Sequence, residues 1–187
     1  MKNLVLFIKQ EIHNKNRITS PSIYAPFNCF RLHLKEDKKN AAIKNFDLYF
    51  SKEEKDVIAV HLPVGQKIQQ FLTKHAFICD YLVLFPSQNR ILLIELKGEN
   101  IPAAKKQIKH GYCFLEYIIS LCNKFFKKTI LLPNAMVSQL IISGSCNRAS
   151  ETNARNRSNL QKDNEFFILR GSDGARIHTN RLFNNEG

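Results

Sequence analysis

The sequence predicts one α/β domain built on a mixed β-sheet, and three stretches support that fold class. Residues 77–97 contain two apolar, strand-length runs around a short polar turn, which is typical of an antiparallel hairpin. Residues 103–126 have a wide apolar face at helical spacing, and residues 136–143 are a further apolar run. A hairpin, a long helix and another strand in succession indicate helices packed on a sheet.

The segment before the hairpin predicts one helix and several strands. Leu4, Ile8 and Ile12 are at helical spacing, so a helix is expected over residues 2–14, followed by a polar break to residue 22. Strands are expected over 27–34, 43–50 and 57–62, and a short helix over 64–73. Together with the hairpin, the long helix and strand 136–143, these elements give a helix–strands–helix–strand order.

The segment after residue 143 predicts a long loop and a closing hairpin. Residues 144–164 contain one large apolar residue, Leu160, so a mobile loop within the single domain 1–187 is expected. Its arginines could hold a substrate, or the loop could be an ordinary surface loop. Strands at 166–170 and 175–178 are expected to pair as a C-terminal β-hairpin around residues 172–174.

The charge balance favours a polyanionic partner. Lys and Arg number 28 against 16 Asp and Glu, which gives a formal net charge of +12. Nucleic acid is the commonest partner of such a basic chain, and solubility alone is the alternative. Residues 51–100 have as many acidic as basic residues, whereas residues 1–50 and 101–150 are strongly basic. Acidic groups therefore surround the hairpin, with positive charge on both sides of it in sequence.

The cysteines and the apolar runs indicate a soluble, cytoplasmic protein without a membrane partner. The five cysteines are an odd number and include no C-x-x-C pair, so reduced thiols are expected rather than disulfides or zinc. The apolar run at residues 4–8 is too short for a signal peptide, and no run approaches the length of a membrane span.

The register of the hairpin determines which charges lie together. Symmetric pairing about the turn places Phe85 opposite Arg90, and therefore Asp80 opposite Glu95. Because side chains alternate along a strand, Glu95, Lys97 and Asp80 share one face, while Cys79 is expected on the other. A register shift of one residue would move Asp80 to the opposite face.

The charges of this face lie among apolar residues, which predicts a metal site. Both faces of the hairpin are apolar, as expected for strands covered on two sides. Two facing carboxylates repel each other at such a position, and buried charges need a partner or a metal ion. A divalent cation between Asp80 and Glu95, with Lys97 beside it, would resolve the conflict.

Asp80 followed by Glu95-Leu96-Lys97 resembles the D…(D/E)-x-K signature of the PD-(D/E)xK, or restriction-endonuclease-like, nuclease superfamily. The resemblance covers roughly residues 77–126, and Cys79 replaces the proline of the motif. It implies a restriction-endonuclease-like core in αβββαβ order, with a central mixed sheet flanked by helices. It also implies that Asp80, Glu95 and the main-chain carbonyl of Leu96 bind Mg²⁺, which Mn²⁺ can replace, and that Lys97 assists the attacking water.

The same resemblance suggests further site residues. Glu11 could be a third acidic ligand, although a surface carboxylate on the first helix is the alternative. Gln107 lies in the helix after the motif, where some members have a functional glutamine. Lys105, Lys106 and Lys109 could contact phosphates, or they could form a solvated helix face.

These residues together predict a metal-dependent nuclease that acts on DNA, with an endonuclease favoured. Two alternatives stay open. A non-catalytic module could bind nucleic acid or a protein partner through its basic surface, or Asp80, Glu95 and Lys97 could form a buried ion-pair network without metal. RNA is not excluded as a substrate, and the resemblance makes a homodimer plausible.

Overall fold

Two β-sheets packed face to face form the centre of the computed structural model. It describes residues 1–11, 18–35, 43–54, 56–62, 78–97, 99–126, 130, 137–144, 159–171 and 174–183. Two helices cover the outer face of the larger sheet, and the smaller sheet covers its other face. The α/β class with a mixed sheet is thereby confirmed.

The helices and strands are numbered in the order in which they occur along the chain. The described helices are α1 (Lys2–Glu11), α2 (Ile101–Phe126) and α3 (Asn180–Phe183), and a 3₁₀ turn spans Ala25–Phe27. The described strands are β1 (Ile18–Thr19), β2 (Ser22–Tyr24), β3 (Cys29–Lys35), β4 (Asn45–Phe50), β5 (Ile58–His61), β6 (Tyr81–Phe85), β7 (Arg90–Lys97), β8 (Val137–Ser143), β9 (Asn159–Asp163), β10 (Phe166–Arg170) and β11 (Ala175–His178).

The larger sheet has the strand order β1-β5-β6-β7-β8-β10-β9. Its pairs are antiparallel from β1 to β7, parallel from β7 through β8 to β10, and antiparallel between β10 and β9. Parallel neighbours need a long crossover, and α2 lies in the connection between β7 and β8. The elements α1, β5, β6, β7, α2 and β8 follow the αβββαβ order, with β1–β4 between α1 and β5.

The smaller sheet has the strand order β11-β4-β3-β2. Strands β2, β3 and β4 are antiparallel neighbours, whereas β11 is parallel to β4. Its inner face packs on the larger sheet through the buried residues Leu32, Leu34, Phe46, Leu48, Phe50 and Ile177. The helices that flank the larger sheet, α1 and α2, therefore lie on one of its faces, and this second sheet covers the other.

The central strands are buried on both faces, as their sequence predicts. Along β7, Leu92, Ile94 and Leu96 point into the core between the two sheets. Ile91 and Leu93 point into a second core, which α1 and α2 close from outside. None of the helices in the described ranges is long and apolar enough to cross a membrane.

The predicted C-terminal hairpin is wrong, because its two strands belong to different sheets. β10 already pairs with β8 on one edge and with β9 on the other. β11 therefore has no free edge of β10 to join, and it pairs with β4 instead. Ala175 and Ile177 of β11 fill the core between the sheets.

The predicted loop at 144–164 is wrong for residues 159–163, which form strand β9. β9 is a terminal strand of the larger sheet, and terminal strands tolerate polar and charged residues that central strands exclude. Its one large apolar residue, Leu160, packs on the inter-sheet core. Two other predictions lie outside the described residues: the part of the loop from 145 to 158 and the short helix at 64–73.

Candidate functional site

The hairpin of β6 and β7 has the register that the symmetric turn predicts. Phe85 lies opposite Arg90, and Tyr81 lies opposite Ile94. Asn89 closes the turn with a positive φ of 54°, and its N–H donates to the Pro86 carbonyl at 3.4 Å. The same register, continued by one residue, brings Asp80 beside Glu95.

Asp80 is held at the end of the ladder by the backbone of β7. The ladder stops at Tyr81, and Oδ2 of Asp80 accepts a hydrogen bond from the N–H of Leu96 at 2.7 Å. The Asp80 carbonyl accepts another from the N–H of Leu62, also at 2.7 Å. Because N–H and C=O of one strand residue point to the same side, the Leu96 carbonyl is directed toward the Asp80 side as well.

Glu95 and Lys97 lie on the helix-covered face of the larger sheet. Glu95 follows Ile91 and Leu93 in the alternation of β7 and is 0 % exposed. Nζ of Lys97 lies 3.7 Å from Oε1 of Glu95, and the Lys97 side chain is 30 % exposed. Lys97 therefore connects a fully buried carboxylate with solvent.

Gln107 of α2 orients the Lys97 ammonium group. Nζ of Lys97 donates to Oε1 of Gln107 at 2.7 Å, and Gln107 is buried. The helix after the motif is thereby joined to the end of β7. Asp80, Glu95, Lys97 and Gln107 thus come together where the hairpin meets the first turns of α2.

Cys79 lies on the helix side of the sheet, so its predicted position on the opposite face is wrong. The regular strand begins only at Tyr81, and the alternation no longer holds at Cys79, two residues before it. Burial raises the pKa of the Cys79 thiol well above its usual value, and the nearby charges of Glu95 and Asp80 raise it further. The thiol is therefore protonated at neutral pH and contributes no negative charge beside the two carboxylates.

Gly111 lets α2 lie directly on Cys79. A Cβ atom at position 111 would be 2.4 Å from Sγ of Cys79, which is far inside contact distance. In the sequence this glycine indicates only a weaker helix interior. Its contact with Cys79 depends on tertiary packing that no local pattern shows.

Lys105 and Lys109 point toward the turn between β9 and β10. Nζ of Lys105 lies 2.7 Å from Oδ2 of Asp163, and Nζ of Lys109 lies 3.4 Å from Oε1 of Glu165. Both ammonium groups also lie over the ring of Phe166, at 5.3 and 5.9 Å from its centroid. Their role in phosphate binding stays a prediction, as does that of Lys106, which is exposed.

The oxygen donors at the end of the hairpin are of the kind that Mg²⁺ prefers. Mg²⁺ takes oxygen ligands and is commonly held by one or two carboxylates together with water or phosphate. Asp80, Glu95 and the Leu96 carbonyl fit that chemistry. Among the described residues no group of three or more His, Cys, Asp and Glu side chains could hold a metal ion. Glu11 is exposed at the end of α1, and its role as a ligand stays a prediction.

Comparisons with protein-family models, with curated proteins and with solved structures found no match to this chain. Its function is therefore inferred from the side chains gathered around Asp80, Glu95 and Lys97.

Proposed function

We propose that the protein is a metal-dependent nuclease that hydrolyses phosphodiester bonds in DNA and cuts within the strand. One observation carries the proposal. Asp80 is fixed by the Leu96 N–H beside strand β7, on which the buried Glu95 and the partly exposed Lys97 lie 3.7 Å apart. Two acidic groups and one ammonium group at the ends of adjacent strands suit the binding of a cation and a phosphate.

The carboxylates of Asp80 and Glu95 and the Leu96 carbonyl would hold Mg²⁺ or Mn²⁺. When bound, such an ion polarises the scissile phosphate and lowers the pKa of a bound water. Lys97 places its ammonium group beside the carboxylates, where it can orient the attacking water and offset the charge that develops on the phosphate. Gln107 keeps that ammonium group in position through its 2.7 Å hydrogen bond.

The surroundings of these groups strengthen their electrostatic effect. Glu95 is 0 % and Asp80 8 % exposed, and the sheet and α2 exclude water from one side of the site. Charges that are fixed in a poorly solvated site act more strongly on a substrate than charges in water. The net charge of +12 supports a polyanionic substrate.

Cleavage assays with linear, circular and single-stranded DNA and with RNA test the proposal. Each substrate is incubated with Mg²⁺, Mn²⁺ or EDTA and the wild type or the near-isosteric variants Asp80→Asn, Glu95→Gln and Lys97→Met. Removing one electrostatic group from such a site lowers the rate by about 10²–10³-fold. Glu99→Gln and Lys124→Met remove the same charges at exposed positions and are expected to keep wild-type activity.

Thermal unfolding provides a readout that does not depend on activity. Mg²⁺ or Mn²⁺ is expected to raise the Tm of the wild type but not that of Glu95→Gln, because binding to the native state alone stabilises it. Without metal, Asp80→Asn is expected to melt higher than the wild type, since one repelling charge is gone. An unchanged Tm with either ion, together with no cleavage of any substrate, contradicts the proposal.

A non-catalytic binding module is the second candidate, because the charged groups of the site can satisfy one another without a metal ion. Its ammonium group already bonds Gln107 and lies near Glu95, so these groups form a network within the chain. A module of this kind, which binds through its basic surface, predicts nucleic-acid binding that is insensitive to EDTA and is not followed by cleavage. Nucleic acid retained without loss of full-length substrate over hours would select this candidate.

A further inference from the structure

The outer face of the smaller sheet carries aromatic and basic side chains. Along β3 the even-numbered residues point to the inter-sheet core, so Arg31 and His33 point outward. The same alternation turns Tyr49 of β4 and Arg176 and His178 of β11 outward. We call these residues, with Tyr24 of β2, the outer sheet face.

Three neighbouring aromatic rings lie at one end of the outer sheet face. The Tyr24 ring lies 5.6 Å from that of Phe27 and 5.3 Å from that of Tyr49, measured between centroids. The Arg31 guanidinium carbon lies 5.3 Å from the centroid of Tyr24. Phe27 is 67 % exposed, so its ring is open to solvent beside Tyr24.

Two arginines lie close to these rings. The strand register places Arg31 and His178 on either side of Tyr49. Burial and the Asp47 carboxylate raise the pKa of Tyr49, while Arg176 and Arg31 act in the opposite direction, so both cations lie close to the phenol. Asp47 is the acidic residue of the strands here, and His33 Nδ1 lies 2.7 Å from its Oδ1.

A shallow cavity of about 220 Å³ continues the face toward α3. Phe27, Tyr49, Arg176 and Arg181 are among its lining residues. Closed sites for small molecules usually enclose about 300–1,000 Å³. The cavity is therefore better suited to one part of a long ligand that continues across the sheet.

We propose that the outer sheet face binds single-stranded nucleic acid. Unpaired bases stack on Tyr24 and Phe27, and phosphates contact Arg31, Arg176 and Arg181. Stacking on a protein ring requires an exposed base face, which a duplex offers only at its ends. The proposal goes beyond the nuclease site, which lies on the helix-covered side of the other sheet and would use a metal ion.

Fluorescence anisotropy in EDTA tests binding without cleavage. Labelled 12-nucleotide single-stranded DNA, single-stranded RNA and the corresponding DNA duplex are titrated with the full chain. We expect Tyr24→Leu to weaken single-strand binding about tenfold or more, because each base–aromatic stack contributes that much. Tyr24→Phe keeps the ring and is expected to bind within about twofold of the wild type. If Tyr24→Leu does not fold, Phe27→Ser tests base stacking at the neighbouring exposed ring.

A pair of double variants tests the phosphate contacts. One double variant, Arg176→Gln with Arg181→Gln, removes two positive charges from the outer sheet face and its cavity. The control double variant, Lys9→Gln with Lys124→Gln, removes two exposed positive charges from the helices. Each lost phosphate contact lowers the slope of log K against log salt by about 0.7 for a single strand, so we expect the arginine variant to lose about 1.4. The lysine variant keeps the wild-type slope.

Several results would contradict single-strand binding by the outer sheet face. If the salt slope falls equally in the arginine and the lysine variants, nucleic acid binds through general positive charge and not through the outer sheet face. Wild-type affinity in the folded Tyr24→Leu or Phe27→Ser variant would exclude stacking. Tighter binding of the duplex, or equal competition by polyglutamate at the same charge, would likewise exclude a single-strand site. Comparing the DNA and RNA arms distinguishes the two single-stranded ligands that share this chemistry.

Discussion

At Gly111, helix α2 passes over the thiol of Cys79 with no room for a side chain. Alanine is normally preferred to glycine inside a helix by about 1 kcal/mol. Here a Cβ would be 2.4 Å from Sγ of Cys79 but 3.5 Å from its Cβ. The sulfur atom alone therefore excludes alanine, and the contact couples the two positions.

Gly111→Ala is expected to lower the free energy of unfolding by about 1–3 kcal/mol, the usual cost of overpacking a core. In a Cys79→Ala background the same change is expected to be neutral or stabilising, because the helix preference for alanine remains and the clash is gone. Denaturant unfolding of the four proteins of the cycle measures the coupling. Ser120→Ala, on the exposed side of α2, is the control, and additive effects at 79 and 111 would contradict the expectation.

His178 predicts a dependence of stability on pH. Burial lowers its pKa below the ordinary value, and its Nδ1 accepts a hydrogen bond from the Asn180 N–H at 3.3 Å, which a protonated ring could not do. Between the lowered pKa and about 6.5 the unfolded chain binds more protons, so stability falls as pH falls through that window. His178→Asn is expected to reduce the loss between pH 7.5 and pH 5.5. A ring that titrates above pH 6.5 in NMR spectra would contradict this sign.

At the scale of the elements, the turn from Pro86 to Asn89 sets the register on which the site depends. Asn89 has φ 54°, a left-handed conformation that β-branched residues avoid. Asn89→Val is therefore expected to lower the free energy of unfolding by about 1–2 kcal/mol, and Asn89→Gly by much less. Thermal or denaturant unfolding checks both variants. If Asn89→Gly lowers the free energy of unfolding as much as Asn89→Val does, the Asn89 side chain is what stabilises the turn, and its positive φ is not the cause.

The hairpin could be predicted from sequence because its determinants are local. A short polar turn and a side-chain period of two are enough to predict the register of β6 with β7 and the shared face of Glu95 and Lys97. Cys79 could not be placed in the same way, since it precedes the regular strand and packs against α2. The alternation that locates Glu95 no longer holds at Cys79, two residues before the ladder begins.

The partners of Lys105 and Lys109 show a second limit of local patterns. The residues that pair with them, Asp163 and Glu165, are more than 50 positions away in sequence. Asp163 belongs to a polar stretch whose composition predicts a loop. That stretch forms β9, a terminal strand of the larger sheet as described. Backbone pairing to β10 compensates for the missing apolar side chains, and composition does not reveal that pairing.

At the scale of the whole molecule, Gly144 lies where the chain segments of the two sheets approach each other. A Cβ there would be 2.3 Å from Cδ1 of Ile43 and 2.8 Å from the carbonyl oxygen of Gly171. The Gly144 N–H donates to the Lys97 carbonyl at 3.2 Å, so this crowded position adjoins the end of β7. A shift of Gly144 would therefore disturb Lys97 as well.

Gly144→Ala is expected to lower the free energy of unfolding by about 1–3 kcal/mol or more, because a backbone oxygen cannot move aside as a side chain can. Ile43→Val removes Cδ1 and relieves one of the two clashes, so it is expected to rescue the variant only in part. Denaturant unfolding of the single and double variants measures the rescue. Complete rescue would show that the Gly171 carbonyl is not an obstacle.

The separation of the fold into two sheets was the part least accessible to sequence reasoning. The segments 166–170 and 175–178 are close in sequence and look like the two arms of a hairpin. β10 instead lies between β8 and β9, and β11 joins β4. Which edge is vacant depends on every other strand, so adjacent segments can belong to different layers.

The pairing of β4 with β11 also determines when the smaller sheet can form. Phe46 pairs with Ala175 and Tyr49 with His178, so β4 is synthesised long before its neighbour. At about 5–20 residues per second, roughly 6–25 s pass between the two strands on the ribosome. During that time the edge of β4 that later pairs with β11 has no neighbour, and an unpaired strand edge invites association with other chains. Nascent chains are therefore most vulnerable to aggregation before β11 emerges.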